Sequence, residues 1–356
     1  MEDTKALLRF HLSLYPGMEP LDCIKLLYQS EMGGGHLIAD EAAFARRLTE
    51  ELDTPGLFTA APPPAEPLGG GLCRVHLAGL GAGPAPATIA RLCALAAAAH
   101  VGSPHRLAQK LEVLVQMAEE GQLPWRAAAL RPLVEEYIAG GCPAPHHSAR
   151  FAALYPPHYR IMRCGDALFL PVFAALDAAL GQKPHVLAGI DGMSGAGKSA
   201  LAALLATVYG CGVVHADDFF LQPQQRTPQR LMAAGGNIDY ERLAQVAARA
   251  AEGRGLSYQA YNCQTLQLQE WRTLLAHPLT LIEGVYALHP QVAAPCDVRM
   301  FLAVDAALQA RRVLHRSGPQ LAQRFFEEWI PMENRYFAEF AIREGCDVVV
   351  DTTPLG

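Results

Sequence analysis

The stretch GIDGMSGAGKSAL, residues 189–201, carries glycine, lysine and serine at the spacing G-x-x-x-x-G-K-[ST]. Glycines allow backbone N–H groups to close around phosphate oxygens, a lysine supplies a mobile positive charge, and a serine hydroxyl can bind Mg²⁺. The spacing therefore predicts a loop that binds nucleotide phosphates. The expected nucleotide contacts are Gly192, Ser194, Gly195, Ala196, Gly197, Lys198 and Ser199. Lys198 is also a candidate catalytic residue, because its charge would lie against the transferred phosphoryl group.

The loop lies between two segments of different periodicity. The apolar run 185–191 before it predicts a buried strand, and KSALAALLATVYG after it predicts a helix. Further apolar strands are predicted, with helices between them, at 211–216, 279–285, 298–304 and 347–351. Strands that alternate with helices form a mostly parallel sheet covered on both faces. The sequence thus predicts an α/β fold of the P-loop NTPase type, preceded by a mostly α-helical N-terminal domain.

Two carboxylates, Asp217 and Asp218, directly follow the second predicted strand. The carboxyl ends of parallel strands line the crevice in which ligands bind, so these acids are expected to face the same crevice as the phosphate loop. Phosphoryl transfer to a hydroxyl needs a base, here at the end of the neighbouring strand, that takes the hydroxyl proton. Asp217 is the predicted base. Asp218 is expected to support it, to contact the substrate or to hold the water shell of the metal.

Other nucleotide-binding functions leave different signals in a sequence. A GTPase switch needs a guanine-specifying N-K-x-D tetrapeptide, and the sequence contains none. A mechanical ATPase usually has a strand that ends in adjacent acids, whereas strand 279–285 ends in the single Glu283. A small-molecule kinase is the class that fits the aspartate pair.

The ordered segments GMSGAGKS, HADDFF, GGNIDYERL, TLIEGVYAL, DAALQARRVLHR and CDVVVD resemble those of the uridine kinase (phosphoribulokinase/uridine kinase) family of P-loop phosphotransferases. The resemblance extends over residues 184–352. It implies ATP as the phosphoryl donor and Mg²⁺ as a cofactor, with Asp217 as the base and Glu283 as a residue that coordinates or orients the metal beside Ser199. It also implies that Arg311 and Arg312 belong to a lid that closes over the phosphates.

The acceptor-binding segments depart from the family pattern. The family binds its nucleoside with an aspartate, a histidine and an arginine, but the matching segment here, LSYQAYNCQTLQLQEW, offers Tyr258, Tyr261 and Asn262. The family's Asp-His-Pro is reduced to Asp239 and Tyr240, and His315 replaces an arginine of the lid. Tyr240, Tyr258 and Tyr261 are therefore the candidate substrate contacts. The sequence supports a kinase more strongly than it supports uridine, and the expected acceptor is a nucleoside- or sugar-like alcohol.

Residues 1–165 form a predicted helical domain, and residues 166–356 form the predicted kinase domain. Because the nucleoside-binding residues are missing from the second domain, we expect the first to help select the acceptor. The glycines of YQSEMGGGHLIAD predict a turn or a close approach to a ligand. For the histidine- and tyrosine-rich stretch HHSARFAALYPPHYRIMR, an acceptor wall, an interdomain joint and a metal site remain open. Residues 59–71 and 81–87 are predicted loops, with a short strand between them.

The composition limits the partners. The sequence is 51% hydrophobic with a formal net charge of −6, which is typical of a soluble globular protein and disfavours nucleic acid or an anionic membrane as a partner. Its nine cysteines are scattered without a C-x-x-C pair, so the expected location is the reducing cytoplasm. No apolar run reaches the ~20 residues of a membrane span. The expected partners are a nucleotide and a small-molecule acceptor, and a homo-oligomer stays open.

An ATP-dependent small-molecule kinase is the leading interpretation of these observations. The alternative is a nucleotide-dependent regulatory or binding protein without a small-molecule acceptor, in which ATP acts as a conformational ligand. A kinase for RNA ends would need a basic strip with interleaved aromatic side chains, and the acidic balance counts against it.

Overall fold

The computed structural model describes residues 2–53, 65–80 and 83–355, and the chain divides into two compact units, Met1–Leu170 and Pro171–Gly356. The first unit is mostly helical, as predicted. Its helices are α1 (Glu2–Leu14), α2 (Pro20–Met32), α3 (Glu41–Leu52), α4 (Pro86–Ala99), α5 (Pro104–Glu119), α6 (Ala127–Ala139), α7 (Ala149–Leu154) and α8 (Cys164–Leu168). An antiparallel sheet in the order β1-β2-β3 is formed by β1 (Ala65–Gly69), β2 (Leu72–His76) and β3 (Tyr159–Arg163).

Strand β1 corrects the loop prediction for residues 59–71. Residues 65–69 pair with β2, and their side chains alternate between exposed and buried. Pro67 is compatible with a strand here because β1 lies at the edge of the sheet. The strand predicted between the two loops is confirmed as β2. The loop predictions at 59–64 and 81–82 lie outside the described residues.

The histidine- and tyrosine-rich stretch packs against helices of its own unit. Asp22 Oδ1 accepts hydrogen bonds from His147 Nδ1 (2.9 Å) and from the Ser148 N–H (3.0 Å), while Oδ2 accepts one from the Ser148 hydroxyl (2.7 Å). His158 Nδ1 donates to Glu51 in α3 (2.7 Å). Within residues 2–53, 65–80 and 83–355, no group of three or more His, Cys, Asp or Glu side chains is placed to hold a metal ion. These contacts support a packing role for the stretch.

The glycine cluster of the first unit forms a turn. Gly33 ends α2 with a φ of 68°, and its N–H donates to the carbonyl of Gln29 (3.0 Å). A Cβ at Gly34 would lie 3.2 Å from Cβ of Ile161 in β3, so the turn also packs closely on the sheet. The predicted turn is therefore confirmed, and a neighbouring strand accounts for the close approach.

The second unit contains the predicted parallel sheet. Its helices are α9 (Leu170–Leu180), which begins at the boundary, α10 (Lys198–Tyr209), α11 (Pro228–Met232), α12 (Tyr240–Ala250), α13 (Pro290–Ala293), α14 (Ala306–Arg324) and α15 (Ile330–Glu339). Its strands are β4 (Val186–Gly192), β5 (Gly212–His215), β6 (Leu256–Asn262), β7 (Gln267–Leu274), β8 (Leu279–Glu283), β9 (Val298–Ala303) and β10 (Val348–Asp351). Five of them form a parallel sheet in the order β10-β9-β4-β8-β5, which confirms the predicted fold class. Strands β6 and β7 form an antiparallel hairpin that the apolar pattern did not predict. None of the described helices combines the length and apolar character needed to cross a membrane.

Strand β4 is the central strand of the sheet, and all seven of its residues are buried. It pairs with β8 on one side and β9 on the other. Strand β8 lies between β4 and β5. Asp217 follows β5 and is therefore at the end of the second strand from β4. The sequence predicted it at the end of the strand next to β4, and this prediction was wrong. The intervening strand ends in Glu283. The sheet order therefore brings three chemical segments to one edge: the phosphate loop, Glu283 and Asp217.

His11 belongs to a buried polar cluster of the first unit. Its side chain is fully buried, and Nε2 is hydrogen-bonded to the carbonyl of Pro67 (2.9 Å). Because a carbonyl only accepts, Nε2 carries the proton of the neutral ring, and Nδ1 faces Glu66 Oε2 at 3.7 Å with a lone pair. Burial, reinforced by the charge of Arg74, lowers the pKa of His11 from 6.5 to about 4.

The low pKa of His11 predicts acid-sensitive stability. Between pH 6.5 and 4 the unfolded chain binds a proton at this residue and the folded chain does not, so acidification lowers the free energy of unfolding, by about 3 kcal/mol for a shift of this size. His11→Gln keeps an N–H donor for Pro67 but cannot bind the proton, so it should lose less free energy of unfolding on acidification than the wild type. Urea unfolding of the wild type and the variant at pH 4 and pH 7 measures this difference. An equal loss in the two proteins would show that His11 does not titrate in this way.

Candidate active site

The phosphate loop joins β4 to α10 through a backbone that favours glycine at three positions. Gly192, Gly195 and Gly197 have φ values of 138°, 78° and 94°. A Cβ at Gly192 would lie 2.2 Å from the carbonyl oxygen of Leu302 in β9, so a larger residue would force the two strands apart. Helix α10 begins at Lys198, directly after the loop. The positive end of a helix dipole therefore adjoins the loop, as an anion site requires.

Lys198 is buried and folds back over the loop. Its Nζ donates hydrogen bonds to the carbonyls of Gly192 (2.8 Å) and Met193 (3.1 Å). Burial lowers the pKa of the ammonium group, and nearby carboxylates raise it. These carboxylates belong to Glu333, Asp191, Asp217 and Glu283. One buried ammonium group thus experiences the charges of four acids.

Asp191, the residue before Gly192, has a fully buried carboxylate that accepts four hydrogen bonds. Oδ1 accepts from the N–H groups of Gly192 (2.7 Å) and Tyr286 (3.2 Å). Oδ2 accepts from the N–H of Leu288 (3.0 Å) and the hydroxyl of Tyr336 (2.8 Å). Burial raises the pKa of Asp191, and the N–H donors oppose that rise. The sequence analysis missed this residue, although an aspartate at the end of an otherwise apolar strand was a signal for it.

Glu283 and Ser199 meet at the end of β8. The Ser199 hydroxyl donates to Oε2 and Oε1 of Glu283 (3.2 and 3.3 Å). His215, which lies opposite Glu283 in the pairing of β5 with β8, is hydrogen-bonded through Nδ1 to Oε1 (2.6 Å), and this bond raises the pKa of His215. A carboxylate and a hydroxyl are hard oxygen ligands that suit Mg²⁺. The two predicted metal ligands are thus together, and His215 orients one of them.

Asp217 and Asp218 face different surroundings because they are consecutive residues of the 3₁₀ turn Ala216–Phe219. Asp217 lines the cleft, where the protein walls raise its pKa by desolvation and the charge of Lys198 opposes that rise. Asp218 points elsewhere: its Oδ2 accepts from the Tyr258 hydroxyl (2.9 Å) and pairs with Arg272 Nε (2.9 Å). Asp218 therefore stabilises the turn that presents Asp217, and it does not line the cleft.

A cavity of about 920 Å³ connects the phosphate loop with Asp217. Pockets of this volume hold ligands the size of a drug molecule or a cofactor. The lining comprises Ser194, Gly195, Gly197–Ala200, Asp217, Phe220, Leu221, Arg226, Leu231, Asn237, Cys263, Leu266, Glu283–Tyr286, and residues of the C-terminal helices between Arg312 and Glu333. Lys198 and Asp217 therefore share one cleft.

One of the two predicted lid arginines faces this cavity. Arg312 Nη1 donates to the carbonyl of Gly195 (3.2 Å) and to Thr352 Oγ1 (3.3 Å). Arg311 is exposed and does not line the cavity. Consecutive helix residues point about 100° apart, whereas residues four apart share a face, and Arg316 joins Arg312 in the lining. Arg312 and Arg316, rather than the adjacent pair Arg311 and Arg312, therefore line the cavity.

The three tyrosines expected to contact the substrate lie outside the cavity lining. Tyr240 stacks on His289 (4.1 Å between ring centroids) beside a separate cavity of about 540 Å³. Tyr258 points inward from β6, is 3% exposed and bonds to Asp218. Tyr261 accepts a hydrogen bond from Arg226 Nη2 (2.9 Å), and Arg226 itself lines the cavity. Tyr261 therefore positions a residue of the cleft, whereas Tyr258 holds Asp218 in the turn beside it.

Glu333 is a cavity residue that the sequence analysis missed. It is buried in α15, its Oε1 accepts from the Ser194 hydroxyl (2.6 Å), and its Oε2 accepts from the Ser194 N–H (3.0 Å). Burial raises the pKa of Glu333. The preceding residues, Phe325–Trp329, form a π-helical turn, a feature frequent at functional sites. The C-terminal helices are thus bonded directly to the phosphate loop.

Solved structures provide a comparison for this fold. A candidate uridine kinase from Bacillus stearothermophilus matches with 20% sequence identity and a TM-score of 0.38, over 51% of this chain and 99% of that one. A candidate fructose transport system kinase from Silicibacter sp. TM1040 matches with 21% identity and a TM-score of 0.39, over 52% of this chain and 98% of that one. No protein-family profile matches the sequence.

The four bonds of Asp191 predict a sensitive position. Asp191→Asn turns one acceptor oxygen into an N–H donor that faces existing donors, so it should lower the free energy of unfolding by about 2–4 kcal/mol. Asp351→Asn is the matched control, because one retained oxygen can still accept both bonds from Thr353. Thermal and urea unfolding of both variants measure the difference. Equal stability of the two variants would contradict the structural role of Asp191.

Proposed function

We propose that the protein is an ATP-dependent kinase that transfers the γ-phosphoryl group to a hydroxyl of a small-molecule acceptor, a nucleoside- or sugar-like alcohol. The observation that carries this proposal is that Lys198 and Asp217 line the same cavity, which the hydrogen-bonded pair Ser199 and Glu283 also lines. A site that only sensed a nucleotide would have no need of a free carboxylate facing the phosphates. The kinase function thus accounts for Asp217, which forms no ion pair among the described residues.

The proposed roles follow from the positions of the side chains. The loop N–H groups and Lys198 hold the β- and γ-phosphates, and Arg312, which is bonded to the loop at Gly195, neutralises phosphate charge together with Arg316. Ser199 and Glu283 would hold Mg²⁺, which supplies charge neutralisation between the phosphates when it is bound. Asp217 takes the proton of the acceptor hydroxyl. The bond between the acceptor oxygen and the γ-phosphorus then forms as the bond to the bridging oxygen of ADP breaks.

The elevated pKa of Asp217 fits the role of a base. A carboxylate whose pKa lies above the ordinary value near 4 binds a proton more tightly and is a stronger base at neutral pH. As the pH falls through this raised pKa, the carboxylate of Asp217 becomes protonated and can no longer take the hydroxyl proton. The acid limb of the rate profile is therefore expected at a higher pH than an ordinary aspartate would give.

The first unit has no assigned chemistry in this proposal. Its role in selecting the acceptor stays a prediction.

The alternative, a nucleotide-dependent regulatory protein, would release ADP at the same rate with and without acceptors and would tolerate loss of Asp217.

Replacement of Asp217 tests the proposal. Asp217→Asn should lower acceptor-dependent ADP release by about 100- to 10,000-fold, the usual contribution of a general base, while Mg·ATP binds with near wild-type affinity. The measurements are ADP release with and without a small-molecule extract, and titration calorimetry with Mg·ATP. Asp218→Asn is the neighbouring control: it should lower the melting temperature, because Tyr258 and Arg272 lose their charged partner, and keep most activity. Full activity of Asp217→Asn would remove Asp217 from its role.

A further inference from the structure

The cavity wall beside Asp217 is mostly apolar. Phe220, Leu221, Leu231 and Leu266 line it, and Leu231 and Leu266 keep 41% and 44% of their surface exposed. In the proposed transfer, the acceptor must place its hydroxyl next to Asp217 and the rest of the molecule against this wall. Apolar lining binds the apolar portion of a ligand. The acceptor is therefore expected to carry an apolar portion, which a simple sugar lacks.

Arg226 is the charged side chain within this wall. Its Nε donates to the carbonyl of Leu221 (3.1 Å) and its Nη2 to the hydroxyl of Tyr261 (2.9 Å), so the planar guanidinium group is held from one side. Across residues 2–53, 65–80 and 83–355, no Asp or Glu forms an ion pair with it. Neutral partners thus fix its orientation, and Nη1 has no hydrogen-bond partner among the described residues.

Arg226 is bonded to the segment that follows Asp217. Its Nε donates to the carbonyl of Leu221, the fourth residue after Asp217, and both Arg226 and Asp217 line the cavity together with Cys263. A small molecule with its hydroxyl at Asp217 can therefore extend to Arg226.

Asn237 adds a second polar group to the wall. Its Oδ1 is buried and has no hydrogen-bond donor in the described part of the chain, and the side chain lines the cavity. The amide contacts the hydroxyl of Tyr286, whose backbone adopts a φ of 75°. A buried acceptor atom without a donor is unfavourable, and an N–H or O–H group of a ligand would satisfy it.

We infer that the phosphoryl acceptor is an anionic alcohol: a small molecule with an apolar portion, a carboxylate or phosphate that binds Arg226, and an N–H or O–H donor for Asn237. This inference rests on the proposed kinase function and narrows its acceptor class. A guanidinium group recognises carboxylates and phosphates through paired N–H donors, so Arg226 sets the preference for an anion. A neutral nucleoside or sugar leaves the charge of Arg226 unpaired and is a poorer acceptor.

The test compares charge-matched pairs of alcohols. Hydroxy acids and alcohol monophosphates are each paired with a neutral counterpart, for example 3-phenyllactate with 3-phenylpropane-1,2-diol. Binding is measured by titration calorimetry in the presence of Mg²⁺ and a non-hydrolysable ATP analogue. We expect at least one anionic member to bind about tenfold or more tightly than its neutral partner. Arg226→Gln should abolish this preference, Arg226→Lys should restore part of it, and the exposed Arg249→Gln should keep it.

Two results would overturn the inference. The first is a panel in which no anionic member binds more tightly than its neutral partner. The second is an Arg226→Gln variant that keeps the preference and instead loses affinity for the ATP analogue, because Arg226 would then be a ligand of the nucleotide phosphates. The binding preference is measured without transfer. A retained preference together with ADP release that is independent of Asp217 would therefore refute the kinase function and leave the anion subsite standing.

Discussion

The buried carboxylate of Asp191 is the interaction on which the rest of the site depends. A fully buried carboxylate is tolerated only when its oxygens are satisfied, and here four donors converge on it from three parts of the chain. They come from the start of the phosphate loop, from the segment after β8 and from α15. The phosphate loop leads directly to Lys198, and the other two segments carry Tyr286 and Glu333, so one hydrogen-bonded centre holds together three segments that line the cleft.

The carboxylates around Lys198 have different partners, and this difference underlies the proposed phosphoryl transfer. Four carboxylates act on one buried ammonium group, and burial raises the pKa of three of them: Asp191, Asp217 and Glu333. Their roles differ because their partners differ: Asp191 and Glu333 are occupied by protein donors, Glu283 is shared by Ser199 and His215, and Asp217 faces the cavity. Of the four, Asp217 alone forms no side-chain hydrogen bond or ion pair among the described residues, and in the proposed reaction it is the base.

Local patterns predicted the parts of the molecule that depend on local sequence. Glycine spacing predicted the loop, apolar runs predicted the five parallel strands, and Asp217 followed from its position after a strand. Local patterns could not show that β8 lies between β4 and β5. They could not show that Asp191 and Glu333 form hydrogen bonds with residues about 95 to 145 positions away in the sequence. Nor could they show that the helix directs Arg311 to solvent and Arg312 to the cavity. The predicted substrate contacts of Tyr240, Tyr258 and Tyr261 were wrong for the same reason, because contacts with residues distant in sequence decide where an aromatic side chain points.

Phosphoryl transfer across the cleft between Lys198 and Asp217 is the central claim, and mass spectrometry tests it most directly. The wild-type protein and a sample without enzyme are each incubated with Mg·ATP and a metabolite pool, and the small molecules are compared. We expect one species, an alcohol, to gain the mass of a single phosphoryl group in the presence of the protein while an equal amount of ADP appears. Release of ADP and inorganic phosphate with no newly phosphorylated species would contradict the account.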